Sequence, residues 1–318
     1  MEKERKMLIA LLALIAFSVI ISLVDISMKM NTSQQKSAIN LTQTGPGVGI
    51  VRITGAISMN GDQGLLNQIS GAEGIIKKLD EYSRNPDIKA IVIRIDSPGG
   101  TVGATQEIFN KIMSIRNSTE RKVPVIASMG DLAASGGYYA ASACDYIFAN
   151  HGTLTGSIGV IIAAPNFKDL FQKLGIRMNV IKSGRYKDIL SSSRELSQDE
   201  LDLLQDIVDS SYNQFLKDVS LGRNIPIDDI RPYADGRILG GTKAVEVKLV
   251  DAIGGFEQAI QKAREMGKLP AGAPVYESTA SPFDQFFSGL QGMFKISNPA
   301  ASFFGSEKYS IVEYRYLP

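Results

Sequence analysis

The hydrophobic positions of the chain form one long uncharged run near the start and an alternation of strand and helix patterns further on. The run covers residues 7–24, in which only Ser18 and Ser22 are polar. As a helix it extends about 27 Å, close to the ~30 Å hydrocarbon core of a bilayer. A cleaved signal peptide has a shorter apolar core and ends at a small-x-small site, which residues 24–27 do not provide. Residues 7–24 are therefore predicted to form an uncleaved transmembrane anchor.

The charges around this run predict its orientation. Lys3, Arg5 and Lys6 precede it, and cytoplasmic flanks of membrane spans are enriched in basic residues. Residues 1–6 are therefore expected in the cytoplasm and the body of the chain on the other side, although Lys29 just beyond the span weakens the asymmetry.

A polar segment separates the predicted anchor from a folded domain. Residues 25–47 show neither a helical nor a strand period and are predicted to be a linker. From Val48 onward strand and helix patterns alternate, which is typical of a layered α/β domain and predicts one domain over 48–268. The predicted strands are 48–57, 88–95, 123–128, 146–149 and 178–181. The predicted helices are 71–83, 101–116, 135–144, one that begins after Ser197, 240–247 and 256–266.

Two later segments have distinctive apolar patterns. Ser197 and Glu200 form a capping-box pair, and the apolar stripe that follows over 201–219 is interpreted as core packing. After Pro270 the pattern weakens, and 269–318 is predicted to be a tail. Within it an aromatic stripe over 283–294 predicts a helix that needs burial, and we expect it to stabilise an oligomer.

Composition removes several classes of function. The 34 basic and 33 acidic residues nearly cancel, which argues against a nucleic-acid binder driven by charge. A single cysteine, Cys144, excludes an intrachain disulfide and a cysteine-rich zinc site, and no metal or cofactor is expected. A single histidine, His151, means that any Ser-His-Asp triad must use it.

Three glycine-rich turns each follow a predicted strand, where open α/β sheets build their sites. They are D-S-P-G-G (96–100), A-A-S-G-G-Y-Y (133–139) and T-G-S-I-G (155–159). Ser135 at a strand-to-helix turn is exposed to attack a carbonyl, and Gly136 leaves room for the substrate. The backbone N–H groups of Gly136 and Gly100 are candidates for an oxyanion hole.

A nucleophilic Ser135 needs a general base, and the sequence pattern alone does not identify which residue that base is. His151 is one candidate, and a lysine is the other, as in known serine-lysine enzymes. A lysine base must be neutral, which requires burial that lowers a lysine pKa from about 10.4 to about 7. Lys182 and Lys187 are the candidates, and spacing does not choose between them.

Four motifs in order make the sequence resemble the signal peptide peptidase A family, in its short bacterial single-domain form. They are R-I-D-S-P-G-G (94–100), G-D-L-A-A-S-G-G-Y-Y (130–139), L-T-G-S-I-G-V (154–160) and K-S-G-R-Y-K-D (182–188). The resemblance covers about residues 48–266. It implies that Ser135 is the nucleophile, that Lys187 is the general base and that Ser157 orients the lysine by a hydrogen bond.

The resemblance also implies architecture and setting. It implies a fold like ClpP and the crotonases, built from stacked strand-strand-helix units, and homo-oligomers in which neighbouring subunits can share a site. It places a single-pass protein in the bacterial cytoplasmic membrane, with its domain outside the cytoplasm, where it degrades cleaved signal peptides. One departure is His151, which stands where the family commonly has proline and so is a poor candidate for the base.

The substrate is expected to be an apolar peptide that enters extended and pairs with a strand edge. Three other functions stay open from the sequence. A related serine-lysine membrane protease with a different client is one. A crotonase-like enzyme acting on acyl-coenzyme A is another, although an exported body argues against it because coenzyme A is cytosolic. The third is a non-catalytic membrane scaffold.

Overall fold

A computed structural model describes residues 45–60, 71–277 and 313–315. The predicted anchor 7–24 and the aromatic stripe 283–294 lie outside these residues. Within the described ranges, none of the helices combines the length and the apolar character needed to cross a membrane.

The described residues form strands and helices in alternation, as the sequence predicts. The strands are β1 (Gly47–Thr54), β2 (Ile88–Ser97), β3 (Gly99–Thr101), β4 (Val125–Ala134), β5 (Tyr146–Ala149), β6 (Leu154–Gly156), β7 (Ile238–Gly240), β8 (Ala252–Ile253), β9 (Val275–Glu277) and β10 (Glu313–Arg315). The helices are α1 (Ala72–Arg84), α2 (Val102–Arg116), α3 (Gly136–Ser142), α4 (Lys168–Lys173), α5 (Gln198–Arg223), α6 (Ile227–Ile230), a 3-10 helix (Arg231–Tyr233), α7 (Gly241–Glu246) and α8 (Phe256–Met266).

The main sheet has the order β7-β6-β4-β2-β1-β9, with β5 beside β4 and β8 beside β5. Its strands are parallel except for β7, which is antiparallel to β6. The run of β-branched residues in β2 is buried on both faces, as expected for a central parallel strand. This mixed α/β sheet with covering helices fits the expected ClpP-like fold.

The long strand β4 brings the predicted site residues together. Its first half pairs with β5 and its last residues pair with β6, in the register Ala134↔Gly156. On its other edge Ala133 pairs with Ser97 at the end of β2. The carboxyl ends of β2, β4 and β6 therefore lie side by side, and the turns that follow them start from neighbouring positions.

Helix α3, which follows Ser135, is buried along its entire length. The Tyr138 hydroxyl donates to the Leu249 carbonyl at 3.0 Å, and the Tyr139 ring stacks on Phe215 of α5 with centroids 4.4 Å apart. Buried tyrosines need both apolar contact and a polar partner, and both are present here. The two tyrosines thus fix the helix that begins at the candidate nucleophile.

Helix α5 begins at the predicted capping box, in which the Ser197 N–H donates to Glu200 Oε2 at 2.8 Å. Its stripe is only partly core. Phe215, Leu216 and Val219 are buried, whereas Leu201 is exposed. The interpretation of the stripe as core packing is therefore right for the second half of the helix and wrong at its start.

The strand predicted over 178–181 is absent from the structure. These residues are irregular, and Met178, Val180 and Ile181 are exposed, Ile181 fully. A short apolar run has the same appearance whether it is a buried strand or an uncovered surface segment. Residues 178–181 are therefore an apolar segment that no other part of the described chain covers.

Two strands come from the region predicted to be a tail. β9 adds to the main sheet beside β1, with Val48 opposite Val275. β10 forms a separate antiparallel pair with β3, in which Tyr314 is opposite Gly100. The end of the chain thus reaches the glycine turn that was assigned to the oxyanion hole.

Candidate active site

Ser135 lies in a strained turn between β4 and α3. Its backbone angles are φ 53° and ψ −116°, which few residues with a side chain adopt. Two backbone hydrogen bonds hold it there: Ser135 N–H donates to the Gly156 carbonyl at 2.8 Å, and Tyr139 N–H donates to the Ser135 carbonyl at 2.9 Å. Such strain is common at turns that carry a nucleophile. The exposure expected for Ser135 is wrong for the described chain, because the packing of the neighbouring turns leaves the residue almost fully buried.

The turns of Gly136 and Gly100 meet beside Ser135. A Cβ placed on Gly136 would lie 3.1 Å from the Gly100 nitrogen and 2.8 Å from Thr105 Oγ1. Real Cβ atoms essentially never come as close to another atom as 2.8 Å, and 3.1 Å from backbone is already tight, so a side chain at residue 136 requires its neighbours to shift. Two backbone nitrogens are therefore adjacent to the serine, an arrangement that suits an oxyanion hole.

A cavity of about 580 Å³ opens beside the serine. Its wall is mixed, with apolar side chains and nearly as much polar surface from hydroxyl and carboxylate groups: Ser135, Ser157, Ile158, Gly159, Val160, Ile161, Val208, Asp209, Tyr212, Ala234, Asp235 and Gly236. Its size and its mixture of apolar and polar groups are typical of a binding site for part of a peptide.

Ser157 lies on the wall of this same cavity, as its position after β6 requires. Like Ser135 it has a positive φ, 50°, and it is mostly buried. Its N–H donates to the Arg237 carbonyl at 2.8 Å. Both predicted serines therefore face one space, and the role of Ser157 in orienting a lysine stays a prediction.

The structure distinguishes the two candidate lysines. The Lys182 ammonium group contacts Asp188 Oδ1 at 2.5 Å and donates to the Arg185 carbonyl at 2.8 Å. Asp188 also binds Arg194, and together Arg194 and Lys182 hold the pKa of Asp188 far below its usual range. A lysine whose ammonium group is held by a carboxylate does not offer a free amine to act as a base, which favours a scaffold role for Lys182.

Lys187 is exposed, and its ammonium group has no hydrogen-bond or ion-pair partner among the described residues. It is not part of the described wall of the cavity beside Ser135. Within one chain, Ser135, Ser157, Gly100 and Gly136 therefore lie close together, whereas Lys187 does not line the cavity beside Ser135.

His151 is also outside the described cavity wall. It is exposed, and its Nδ1 lies 3.0 Å from Thr242 Oγ1 in a loop–helix contact. This placement agrees with its exclusion as the base of a Ser-His-Asp triad.

Sequence reasoning missed the residues that α5 and the following loop contribute to the cavity. Tyr212 belongs to the stripe interpreted as core, yet it lines the cavity while its hydroxyl donates to Ala234 at 2.6 Å, and burial raises its pKa. Asp235 carries a carboxylate whose pKa is lowered to about 2 by hydrogen bonds from Arg237. A tyrosine within an aliphatic stripe was the one available signal, since tyrosine presents a polar tip.

Comparison with known proteins shows which protein families this chain resembles. Residues 117–269 match the model of Peptidase family S49, and residues 65–145 match that of Clp protease. A protein of Synechocystis sp. whose name describes a protease is 42% identical over 228 residues, 72% of this chain and 77% of the relative.

Two further relatives carry more specific names. The chloroplast serine protease SPPA of Arabidopsis thaliana is 34% identical over 249 residues, 78% of this chain and 36% of that protein. A protein of Enterococcus faecium named as signal peptide peptidase SppA is 34% identical over 218 residues, 68% of this chain and 62% of that protein. The chain is therefore a serine peptidase and belongs to the signal peptide peptidase A family, peptidase family S49.

Proposed function

We propose that this peptidase is a membrane-anchored endopeptidase that uses Ser135 as nucleophile and Lys187 as general base. The observation that carries the proposal is the strained turn of Ser135 beside two converging glycine turns, at the wall of a cavity with both apolar and polar groups. Family membership favours peptide-bond hydrolysis over the acyl-coenzyme A and scaffold alternatives.

The proposed reaction uses the groups in sequence. Neutral Lys187 takes the hydroxyl proton as Ser135 Oγ attacks the peptide carbonyl, and the N–H groups of Gly100 and Gly136 hold the oxyanion. The amine leaves with the proton from Lys187, and an acyl-enzyme ester stays on Ser135. A water molecule gives a proton to Lys187 and attacks the ester, and the serine regains its proton as the acid leaves.

The proposal includes that Lys187 serves the serine of a neighbouring copy of the chain, because it is exposed and does not line the cavity beside Ser135 of its own chain. A lysine acts as a base only where burial favours its neutral form. In the proposed assembly one copy supplies Ser135, and the segment of a neighbouring copy that carries Lys187 covers it. Contact between copies then both delivers the lysine and removes it from water.

An exposed apolar segment supports this assembly. Between Ile161 and Ile181 the described chain leaves large hydrophobic side chains in water, at more than a third of full exposure: Ile161, Phe167, Leu170, Leu174, Ile176, Met178, Val180 and Ile181. A concentration of exposed hydrophobic side chains in one segment favours a protein–protein contact. It lies in the same part of the sequence as Lys187, so burial of the segment and delivery of the lysine belong to one interface.

The proposed substrates are signal-peptide remnants at the outer face of the bacterial cytoplasmic membrane. The apolar part of the cavity wall, Ile158 to Ile161 with Val208, suits an apolar side chain near the scissile bond, and the anchor predicted over 7–24 keeps the domain near the membrane that holds such peptides. A second serine-lysine protease function, with another membrane client, has the same site and differs only in substrate.

A mixing experiment with two inactive variants tests the dyad and its sharing. Ser135→Ala and Lys187→Ala each abolish cleavage of an apolar fluorogenic peptide. The two full-length proteins, unfolded together and refolded in equal amounts in detergent, recover about a quarter of the wild-type rate, because that fraction of head-to-tail interfaces pairs an intact serine with an intact lysine.

The controls separate the alternatives. His151→Ala keeps most of the activity, because the histidine is not part of the machinery. Inactive single variants whose mixture stays inactive would place the dyad within one chain. Activity retained in a folded Lys187→Ala protein would overturn the assignment of the base.

A further inference from the structure

Thr105 carries a buried hydroxyl that no described group satisfies. The residue lies in the first turns of α2, it is fully buried, and its Oγ1 has no hydrogen-bond partner in the described structure. Nearly all buried polar side chains in native proteins have a partner, so an exception requires an explanation.

The orientation of this hydroxyl is not the usual one for a helix. A helical threonine commonly donates to the carbonyl three or four residues earlier, which here would be Val102 or Thr101. Instead Oγ1 is the atom nearest to the Gly136 position, 2.8 Å from where a Cβ would stand, with the Gly100 nitrogen 3.1 Å from that same point. The hydroxyl therefore lies where the two glycine turns meet.

We propose that Thr105 is a positioning residue for the oxyanion hole, an inference that rests on the proposed function. Its hydroxyl is buried where the Gly100 and Gly136 turns meet, close to the place where negative charge develops in the transition state, and no other described group competes for its O–H dipole. Preorganised dipoles of this kind stabilise that charge in a site from which water is excluded. This role explains why the Thr105 hydroxyl has no hydrogen-bond partner while no oxyanion is present.

Two substitutions at this position separate the hydroxyl from the packing. Thr105→Val keeps the shape of the side chain and removes only the dipole, whereas Thr105→Ser keeps the dipole and removes a methyl group. Both are made in the full-length protein, with kcat, KM, inhibition by a peptide aldehyde and Tm measured.

For Thr105→Val we expect kcat to fall about tenfold, KM to stay within about twofold and the aldehyde to bind correspondingly more weakly, because only the oxyanion-like state loses an interaction. Its Tm stays the same or rises, since a methyl group replaces an unsatisfied buried hydroxyl. Thr105→Ser retains a kcat near that of the wild type.

Each other outcome overturns the proposal. A Thr105→Val protein with wild-type kcat shows that the hydroxyl is only a packing defect. Loss of kcat together with a lower Tm, or an equal loss in Thr105→Ser, shows a structural role. Ser135→Ala is measured in parallel, because activity that survives this change would overturn the proposed function itself.

Discussion

At the scale of single residues, the strongest constraint is the one on residue 136. The added Cβ of Gly136→Ala would lie 2.8 Å from Thr105 Oγ1 and 3.1 Å from the Gly100 nitrogen, so the Thr105 side chain has to shift and the contact between the glycine turns is crowded. Losing one oxyanion donor lowers kcat by about 100- to 1,000-fold, and we expect a loss of at least that size. Steady-state cleavage of an apolar peptide measures it.

Gly103→Ala is the matched control for this change. Gly103 lies in α2, three residues from Gly100, and a Cβ there meets no atom within 4 Å. Activity should stay near wild type, and Tm should rise slightly because alanine favours a helix over glycine. Equal losses in both variants would mean that crowding at Gly136 is not the cause.

At the scale of elements, a clamp of charges connects the Lys187 segment to the start of α5. Arg194 bridges Asp188 and Glu200, and Glu200 is buried while its oxygens also accept from Ser197. Hydrogen bonds from Arg194, then from Ser197, lower the pKa of Glu200 to about 2. The clamp therefore contributes stability above the ordinary carboxyl pKa, about 4.5, and loses it as the pH falls through about 2.

Arg194→Met should reveal this pH dependence. At pH 7 it leaves two carboxylates without their partner, and we expect Tm to fall by roughly 5 °C. Toward pH 3 the difference from the wild type should narrow, because the orphaned carboxylates of the variant become protonated. Arg185→Met, which breaks the exposed pair with Asp199 in the same segment, should change Tm little at either pH. A gap that widens toward low pH would contradict the clamp.

The second half of α5 stabilises the helix that presents Ser135. Phe215 is fully buried and stacks on Tyr139, so Phe215→Ala should lower the free energy of unfolding by about 3–5 kcal/mol. Urea denaturation measures this value. Lys217→Ala, two residues away and exposed, should stay within about 0.5 kcal/mol of the wild type, and an equal effect there would indicate general damage to the helix.

Hydrophobic periodicity and capping residues predicted the helices and strands well in segments where these signals are strong. The helix over 256–266 matches α8, and the capping box at Ser197 opens α5 as expected. It failed at 178–181, because a short apolar segment does not reveal whether protein or water covers it. It also failed for Tyr212, because the face that a helical stripe presents to a cavity depends on packing between distant elements.

The sequence predicted those site residues whose positions follow from the ends of neighbouring strands. Ser135, Ser157 and the glycine turns follow strand ends, so parallel pairing is enough to bring them together. The unpaired hydroxyl of Thr105 and the position of Lys187 away from the cavity beside Ser135 depend on side-chain geometry and on packing between distant elements. Neither leaves a trace in spacing or periodicity.

At the scale of the whole molecule, the pairing of β10 with β3 predicts that residues 313–315 compete with any substrate that binds to the same strand edge. An extended peptide that pairs with the edge of β3 beside Gly100 needs the backbone groups that Glu313–Arg315 already occupies. A segment of the same chain is present at an effective concentration on the order of mM, so it competes with dilute substrates and yields to concentrated ones. Removal of residues 311–318 should lower KM several-fold with kcat nearly unchanged, as peptide titrations would show.

A peptide with the sequence of residues 311–318, added in trans to the shortened enzyme, should restore the higher apparent KM, and a scrambled peptide should not. An unchanged KM after removal would mean that substrates use another edge. On this prediction the pairing of β10 with β3 raises the peptide concentration at which the enzyme is half-saturated, so that sparse peptides are cleaved more slowly than they would be without it.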